Sequence, residues 1–361
     1  MLSSDRTVVI ISYWPIDKDP VKILVTGGGG FLGRGLCHAL KKRGDQVVSF
    51  QRRHSSLLHQ WGIEQICGDL SDFEAVMTAT RGVDLVIHTA AKAGGWGDYR
   101  AYYQANVVGT DHILDACRHH RITRLLYTST PSVVHQARVP VAGLTAEDIP
   151  YATHFLAHYP ATKAIAEQRV LSANSATLAT IALRPRLIWG PDDPHLLPRL
   201  INRATKGRLR LIGDGTNQID TTFITNAVHA HLTAAYSLQI GAACAGRAYF
   251  ISNNEPIAIA EFLNKILAAL GAPPLTKTLS PKMGYRLGAL CEWIWSTLRL
   301  ATEPPLTRFI AEQMSTTHWY SMEPARRDFG YIPVTTMAQG LAQLAVASTS
   351  PADAQSSARD H

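Results

Sequence analysis

VTGGGGFLGRG, Val25 to Gly35, constrains this chain more than any other stretch. It follows a short β-branched run, KILVTG at Lys22–Gly27, and opens a helical segment, Gly30–Arg43. Gly27, Gly30 and Gly33 keep the spacing G-x-x-G-x-x-G. One glycine permits a tight turn, another lets backbone approach a pyrophosphate, and the third lets helix pack on strand. The helix that follows aims its first N–H groups and its dipole at phosphate. Here the motif follows a strand and opens a helix, the setting in which it binds a dinucleotide rather than forming an unoccupied glycine-rich turn. Phe31 and Leu32, inside the loop, join the three glycines as candidate cofactor contacts.

The rest of the first half repeats that alternation. QVVSF (Gln46–Phe50), DLVIHTAA (Asp84–Ala91), RLLYTST (Arg124–Thr130) and TIALRPRLI (Thr180–Ile188) read as buried strands. Helical patterns lie between them at Asp72–Thr80, Tyr99–His119 and Tyr159–Ala173. Such alternation implies an α/β fold with a doubly wound parallel sheet of Rossmann type, covered on both faces. The chain has 361 residues, 46% of them hydrophobic, enough for this sheet and a smaller C-terminal substrate-binding lobe. The expected division is a loosely attached extension over 1–20, read as the product of an upstream start codon, and a nucleotide-binding and catalytic domain over 21–190. A lobe over 191–345, with a possible strand return to the sheet, and a flexible tail over 346–361 complete it.

The second strand shows which dinucleotide to expect. An enzyme for NAD usually ends this strand with an acid that binds the ribose 2′-OH. This chain reads SFQRRHSS, with Gln51 in the acid's place and Arg52 and Arg53 after it. Two guanidiniums without a carboxylate suit a 2′-phosphate, so NADP(H) is the expected cofactor; the plainer reading is two solvated surface arginines. Asp69 and Leu70, in GDL, are placed to meet the adenine, and Ala90–Ala91 to lie under the middle of the cofactor.

HYPATKAIAE, His158–Glu167, sets Tyr159 four residues before Lys163. Spacing alone does not separate a proton-transfer pair from coincidence. Read chemically, a phenol near pKa ~10 is a poor proton donor at neutral pH, and an ammonium one helical turn away lowers that value.

Taken in order, TGGGGFLG, GDL, HTAA, YTSTPSV, YPATK and LRPRLIWGP resemble the extended short-chain dehydrogenase/reductases, in their 3β-hydroxysteroid dehydrogenase-like branch. The similarity runs from about Val21 to Pro333. AAKAGGWGDY, YTSTPSVVH, TKAIAEQRVL, LRPRLIWGP and HWYSMEPARRDFGYIP look closer still to the long-chain 2-alkyl-3-oxoalkanoate reductases of bacterial olefin biosynthesis. The resemblance implies an NADPH-dependent oxidoreductase that reduces the ketone of a long-chain β-keto acid. Tyr159 and Lys163 are then catalytic, with Lys163 also within reach of the nicotinamide ribose. Thr130 matches the hydroxyl residue that holds the substrate carbonyl, and Pro185 the position that lines the nicotinamide. Ser132 is a second hydroxyl with either a substrate or a structural role. Arg186 is a candidate partner for the substrate carboxylate, with a structural ion pair as its plainer role. Lys92 and Trp96, after the fourth strand, are further substrate candidates. His88 reads as a satisfied strand-end histidine, and Asn106 as a tie between helix and strand that in related enzymes sits near the active site.

Rival readings are a hydroxysteroid or sterol dehydrogenase, a nucleotide-sugar epimerase, which would want the acid missing at Gln51, and a non-catalytic NADP sensor or scaffold. A net charge of +7 suits anionic small molecules, while scattered basic residues without a reading motif argue against nucleic acid. No cysteine or acid completes a metal pattern around His154 and His158, so no metal is expected. Five cysteines without a C-x-x-C pair fit free thiols in a reducing cytoplasm. The apolar stretch Met283–Ala301 is broken by Arg286, Glu292 and Arg299; it reads as an amphipathic helix, with peripheral membrane contact at most. The β-keto acid loses CO2 readily, so handing it between enzymes without release is sensible, and the resemblance implies an assembly with other olefin-pathway enzymes; a homo-oligomer is also expected.

Overall fold

The computed structural model describes residues 20–300 and 302–349. Apart from residue 20, the expected extension lies outside the described residues. So does the expected tail beyond residue 349; its first four residues end a helix, Met337–Thr349.

Seven strands form one parallel sheet: β1 (Lys22–Thr26), β2 (Gln46–Gln51), β3 (Glu64–Cys67), β4 (Leu85–His88), β5 (Arg124–Thr128), β6 (Ala179–Pro185) and β7 (Arg247–Ile251). Their order across the sheet is β7-β6-β5-β4-β1-β2-β3. β1 thus sits between β2 and β4, and the direction of winding reverses beside it. Ligands of such sheets bind in the crevice beyond the carboxyl ends of the strands at that point. β7 is the strand return from the second half of the chain; it pairs with β6 from Arg247 against Ile181 to Ile251 against Pro185.

The strands are apolar on both faces because helices cover both. On one face α1 (Phe31–Arg43) packs Leu32, Leu36 and Leu40 with Ile23, Val25 and Ile87. Ala227 and Val228 come to the same cluster from a later helix, Ile224–Ser237. On the other face α2 (Gly109–His120) supplies Ile113 and Leu114, and α3 (His158–Ser172) supplies Ala166 and Val170. α1 stops at Gly44, whose φ of 100° and open surroundings suit a residue without a side chain.

Two elements depart from the sequence reading. Tyr99–His119 is not one α-helix: a turn at Tyr99–Tyr103 passes into a π-helical segment, Gln104–Val108, before α2. The strand read through Ile188 ends at Pro185, and the chain turns at Leu187 with φ 42°. That turn is pinned where the Thr222 hydroxyl donates to the carbonyl of Arg186 at 2.7 Å.

A second sheet sits over the carboxyl end of the first, in the order Ile257–Ala258, Gln218–Ile219, His318–Tyr320, Val141–Leu144. Its last strand comes from the first half of the chain, so both halves build it. Beside it lie α4 (Pro281–Thr297) and α5 (Arg308–Ser315). Gly288 lets these helices close, since a Cβ there would meet the Arg308 backbone nitrogen at 2.7 Å. α4 leaves Met283, Leu287, Leu290 and Trp293 exposed along one side. Among the described residues, no helix is long and apolar enough to cross a membrane.

Candidate active site

The glycine loop is a cradle with no room for side chains. Gly27 has φ 71°, and a Cβ there would touch Ala90, at the end of β4, at 3.0 Å. A Cβ on Gly33 would fall 2.1 Å from the Gly27 carbonyl oxygen. The tightest position is one the sequence reading did not single out: a Cβ on Gly28 would sit 2.0 Å from the Ser49 hydroxyl. At Gly30 the same atom would meet only the Gly27 carbonyl, at 3.1 Å. The requirement at Gly28 comes from a strand about twenty residues away, so the motif's spacing does not reveal it. Phe31 and Leu32 begin α1 behind this turn.

Gln51 ends β2 and faces Gly29, whose added Cβ would lie 3.5 Å from its amide. Both ends of that amide are engaged. Ser49 donates to Oε1 at 2.5 Å, and Nε2 donates to Gln65 at 2.7 Å. Arg52 and Arg53 follow on the exposed rim. Asp69 accepts from the backbone and hydroxyl of Ser71 on the same oxygen, at 2.9 and 2.7 Å. Those bonds, helped by Arg52, hold its carboxyl below the usual range. Leu70 is buried against Gly109.

The Tyr–Lys pair occupies the first two turns of α3, at the carboxyl edge of the sheet. Thr130 lies close enough to Tyr159 to pull the phenol's pKa down. Thr130 also accepts from the Ser132 backbone at 3.2 Å and donates to the Ser132 hydroxyl at 3.3 Å. Thr130, Ser132 and Tyr159 therefore form one cluster of hydroxyls. Pro185 closes β6 beside the end of β5.

The electrostatics differ from the sequence expectation. Burial pushes the Tyr159 phenol up to about 12, with Thr130 pulling the other way. Lys163 does not offset this. Its ammonium donates to the Thr128 carbonyl at 2.6 Å and lies 3.9 Å from the Tyr127 ring centre. Burial brings Lys163 itself down to about 7, while Glu167, one turn further on, raises it. A buried ammonium is costly to charge, and that cost exceeds what four-residue spacing implied for its neighbour.

Behind the pair lies a buried ion pair that the sequence reading missed. Arg184 on β6 grips Glu167, with NH2 to Oε1 at 2.5 Å, and the Tyr151 hydroxyl donates to the same oxygen at 2.6 Å. The only sequence signal was Glu167 four residues after Lys163. The structural ion pair considered for Arg186 thus belongs to Arg184. Arg186 is half-buried, donates to Gln313 at 2.7 Å and leaves its Nε without a partner.

The loop after β4 is held from behind. Asn106, in the π segment, accepts from the Lys92 N–H at 2.7 Å and donates to the Lys92 carbonyl and to Thr162 of α3, both at 3.0 Å. One amide therefore ties the loop carrying Ala90, Ala91 and Lys92 to the helix carrying Tyr159. The Lys92 side chain is exposed, its ammonium 5.2 Å from the Tyr102 ring centre, and Trp96 gives its carbonyl to the Tyr102 hydroxyl at 3.0 Å. Neither side chain is brought to the hydroxyl cluster by a recorded contact.

His88 is satisfied on both nitrogens, by Thr26 at 2.7 Å and Thr110 at 3.1 Å. Thr110 spends its proton on the Asn106 carbonyl, so His88 donates from Nε2 and accepts at Nδ1. Burial holds it down to about 3.

A doubly wound sheet with a glycine cradle at its reversal point and a Tyr–Lys pair beside it defines a short-chain dehydrogenase/reductase of the extended type. Residues 24–280 match the 3-beta hydroxysteroid dehydrogenase/isomerase family, and the chain belongs to it. A 2-alkyl-3-oxoalkanoate reductase of Stenotrophomonas maltophilia is 60% identical over 91% of this chain and 99% of its own length. Another, from Shewanella oneidensis, is 42% identical over 89% of this chain and 84% of its own. More distant is the decarboxylating sterol-4-alpha-carboxylate 3-dehydrogenase of Mus musculus, 35% identical over 89% of this chain and 88% of its own. Among solved structures, MoeE5 in complex with UDP-glucose and NAD has the same fold, with a TM-score of 0.70 and 24% identity over 90% of this chain and 98% of that one.

Proposed function

We propose that the protein is an NADPH-dependent reductase of 2-alkyl-3-oxoalkanoic acids, producing the 2-alkyl-3-hydroxy acids. The observation that carries the chemistry is the grouping of Tyr159 with Thr130 and Ser132, in which Thr130 draws the phenol's pKa down against burial. The substrate comes from the relative with 60% identity.

The cradle fits a pyrophosphate because Gly27, Gly28 and Gly33 leave only backbone along it. Gln51 offers no carboxylate to a ribose hydroxyl, and Arg52 and Arg53 stand exposed where a 2′-phosphate can be gripped, which favours NADP(H) over NAD. When bound, the nicotinamide supplies a hydride. With a ketone bound, Thr130 turns its one proton from the Ser132 hydroxyl to the ketone oxygen and fixes its direction, while its oxygen still accepts from the Ser132 N–H. Tyr159 gives that oxygen its proton. With burial raising its pKa to about 12, the phenol keeps its proton until negative charge develops on the oxygen. Lys163, held by Thr128, would hold the nicotinamide ribose hydroxyls when the cofactor is bound and would supply positive charge to the site. Pro185 and the Ala90–Ala91 turn wall the site.

The five free thiols and the unstable substrate fit a cytoplasmic enzyme that works in an oligomer, passing its product to the next enzyme of olefin synthesis. The test is a panel in both directions: long-chain 2-alkyl-3-oxo acids with NADPH, then the 2-alkyl-3-hydroxy acid and a 3β-hydroxysteroid with NADP+. Turnover of the alkyl acids well above the steroid supports the reading. Preference for the steroid makes the chain a sterol dehydrogenase, and no turnover at all makes it a sensor or scaffold.

A further inference from the structure

His135 and His318 come from segments 183 residues apart, yet their rings meet edge to face, centres 4.2 Å apart. His318 is 1% exposed and His135 7%, and among the described residues none of their four ring nitrogens has a hydrogen-bond partner. Buried polar groups are nearly always paired, because an orphan forfeits its hydration without a replacement. Two adjoining histidines left this way form a donor and acceptor surface built for something outside the protein chain.

Arg186 is near enough for its charge to be felt by both. Its charge lowers both histidines, after burial, and its Nε is also orphaned. The other groups facing it are Asp220, Tyr320 and Gln313. Among the described residues, no carboxylate pairs with Arg186 within salt-bridge range; the ion pair on this strand is Arg184 with Glu167. Asp220 is turned to the Tyr320 N–H, at 2.7 Å, and burial raises it to about 6. Arg186 thus has no ion-pair partner among the described residues, and its charge reaches both neutral imidazoles as well as the Asp220 carboxyl, whose Oδ1 is also unpartnered.

The place is right for the substrate. Arg184 and Arg186 are two apart at the end of β6, so their side chains leave on one face, the face where Arg184 meets α3. His135 lies three residues beyond Ser132, on the strand-end loop that begins with Thr130. His135 thus shares its loop with Thr130, and His318 lies on the C-terminal strand that pairs with Val141–Leu144, downstream on that same connection. In a 3-oxo acid the carboxylate is two bonds from the ketone carbon, so its subsite has to lie near Tyr159 and Thr130.

We propose that Arg186, His135 and His318 form the subsite for the carboxylate of the substrate, distinct from the cofactor cradle. This rests on the reading of the protein as a 3-oxo acid reductase. The permanent charge of Arg186 holds the anion. One N–H from each neutral imidazole completes its coordination and fixes which way the ketone faces.

The experiment compares two substrates, a long-chain 2-alkyl-3-oxo acid and the neutral ketone left when it loses CO2. The readout is the ratio of their kcat/KM values. Arg186→Met should lower the acid-to-ketone ratio about 30-fold or more, mainly through the KM of the acid. Arg186→Lys should restore part of it. His318→Phe should lower the ratio roughly tenfold while keeping or raising the urea midpoint, because it removes orphaned nitrogens at similar volume. NADPH titration by fluorescence shows that each variant folds. Unchanged ratios in Arg186→Met and His318→Phe, with the wild type preferring the acid, overturn the subsite alone and leave the histidine pair to internal water. A wild type that reduces the ketone and ignores the acid overturns the 3-oxo acid reading and the subsite together.

Discussion

Lys163 gives its ammonium to the carbonyl oxygen of Thr128, 2.6 Å away, so the end of β5 fixes the lysine in place. The strand that presents Thr130 to the substrate also holds the base of the proton relay. Lys163 is charged below about pH 7 and loses that charge above it. The kcat/KM for ketone reduction, which reports the free enzyme, should therefore fall on the alkaline side with an apparent pKa near 7. Lys163→Arg stays protonated at any working pH and should abolish this limb. A flat profile through pH 8.5 in the wild type would remove Lys163 from the chemical step.

Tyr159→Phe removes the proton donor and leaves the cradle whole. It should cost about 10²- to 10⁴-fold in kcat, with the NADPH dissociation constant unchanged. Stopped-flow turnover and fluorescence titration on one preparation check both halves. Full activity in the phenylalanine variant would assign the proton to another group.

Changing Arg52 and Arg53 together to alanine should raise the KM for NADPH by roughly 10- to 100-fold, as expected for charge-assisted hydrogen bonds to a phosphate. The KM for NADH should barely move. Equal losses with both cofactors would mean that the rim arginines do not read the 2′-position.

Glu167→Gln leaves the Arg184 guanidinium buried without its counter-charge. The expected loss of stability is about 3–5 kcal/mol, read as a lower urea midpoint at unchanged slope. Replacing both residues with apolar ones of similar volume should recover much of it. A loss under 1 kcal/mol in the single variant would show that water reaches this pair.

Acid should destabilise the fold before its carboxylates titrate. His88 and His231 are buried and neutral, held down to about 3 and about 4 by desolvation. Unfolded, each takes up a proton near pH 6.5, so the unfolded state binds more protons below that point. Their contribution is complete above pH 6.5 and is lost as pH falls towards those folded values, by about 1.4 kcal/mol per pH unit for each. Urea midpoints between pH 7.5 and 5 test this. A constant midpoint would show that the rings are protonated in the native state.

Much of the site was legible because its signals are local. Gly27, Gly30 and Gly33 lie within seven residues, Tyr159 and Lys163 within one helical turn, and the strands are continuous β-branched runs. His88 and Asn106 also took the roles expected of them. What stayed hidden depends on partners far along the chain. Gly28 is forced by Ser49 on the next strand, and the direction of Lys163 by Thr128. That the buried ion pair forms at Arg184 and not at Arg186 turns on Glu167. His135 and His318 had no signal at all, since only the packing of the upper sheet brings them together. Periodicity reports which face a residue occupies; it does not report what waits across from it.

The π-helical segment Gln104–Val108 gives one last consequence. It accommodates an additional amino acid inside what is otherwise an α-helical stretch, a distortion common at functional positions. Deleting one residue there would yield a more regular rod, and it would also swing the Asn106 amide away from both neighbours it bridges. The blemish in the helix is thus the clasp between the nucleotide half of the crevice and the half that moves the proton. Selection for a smoother backbone at this spot would work against turnover.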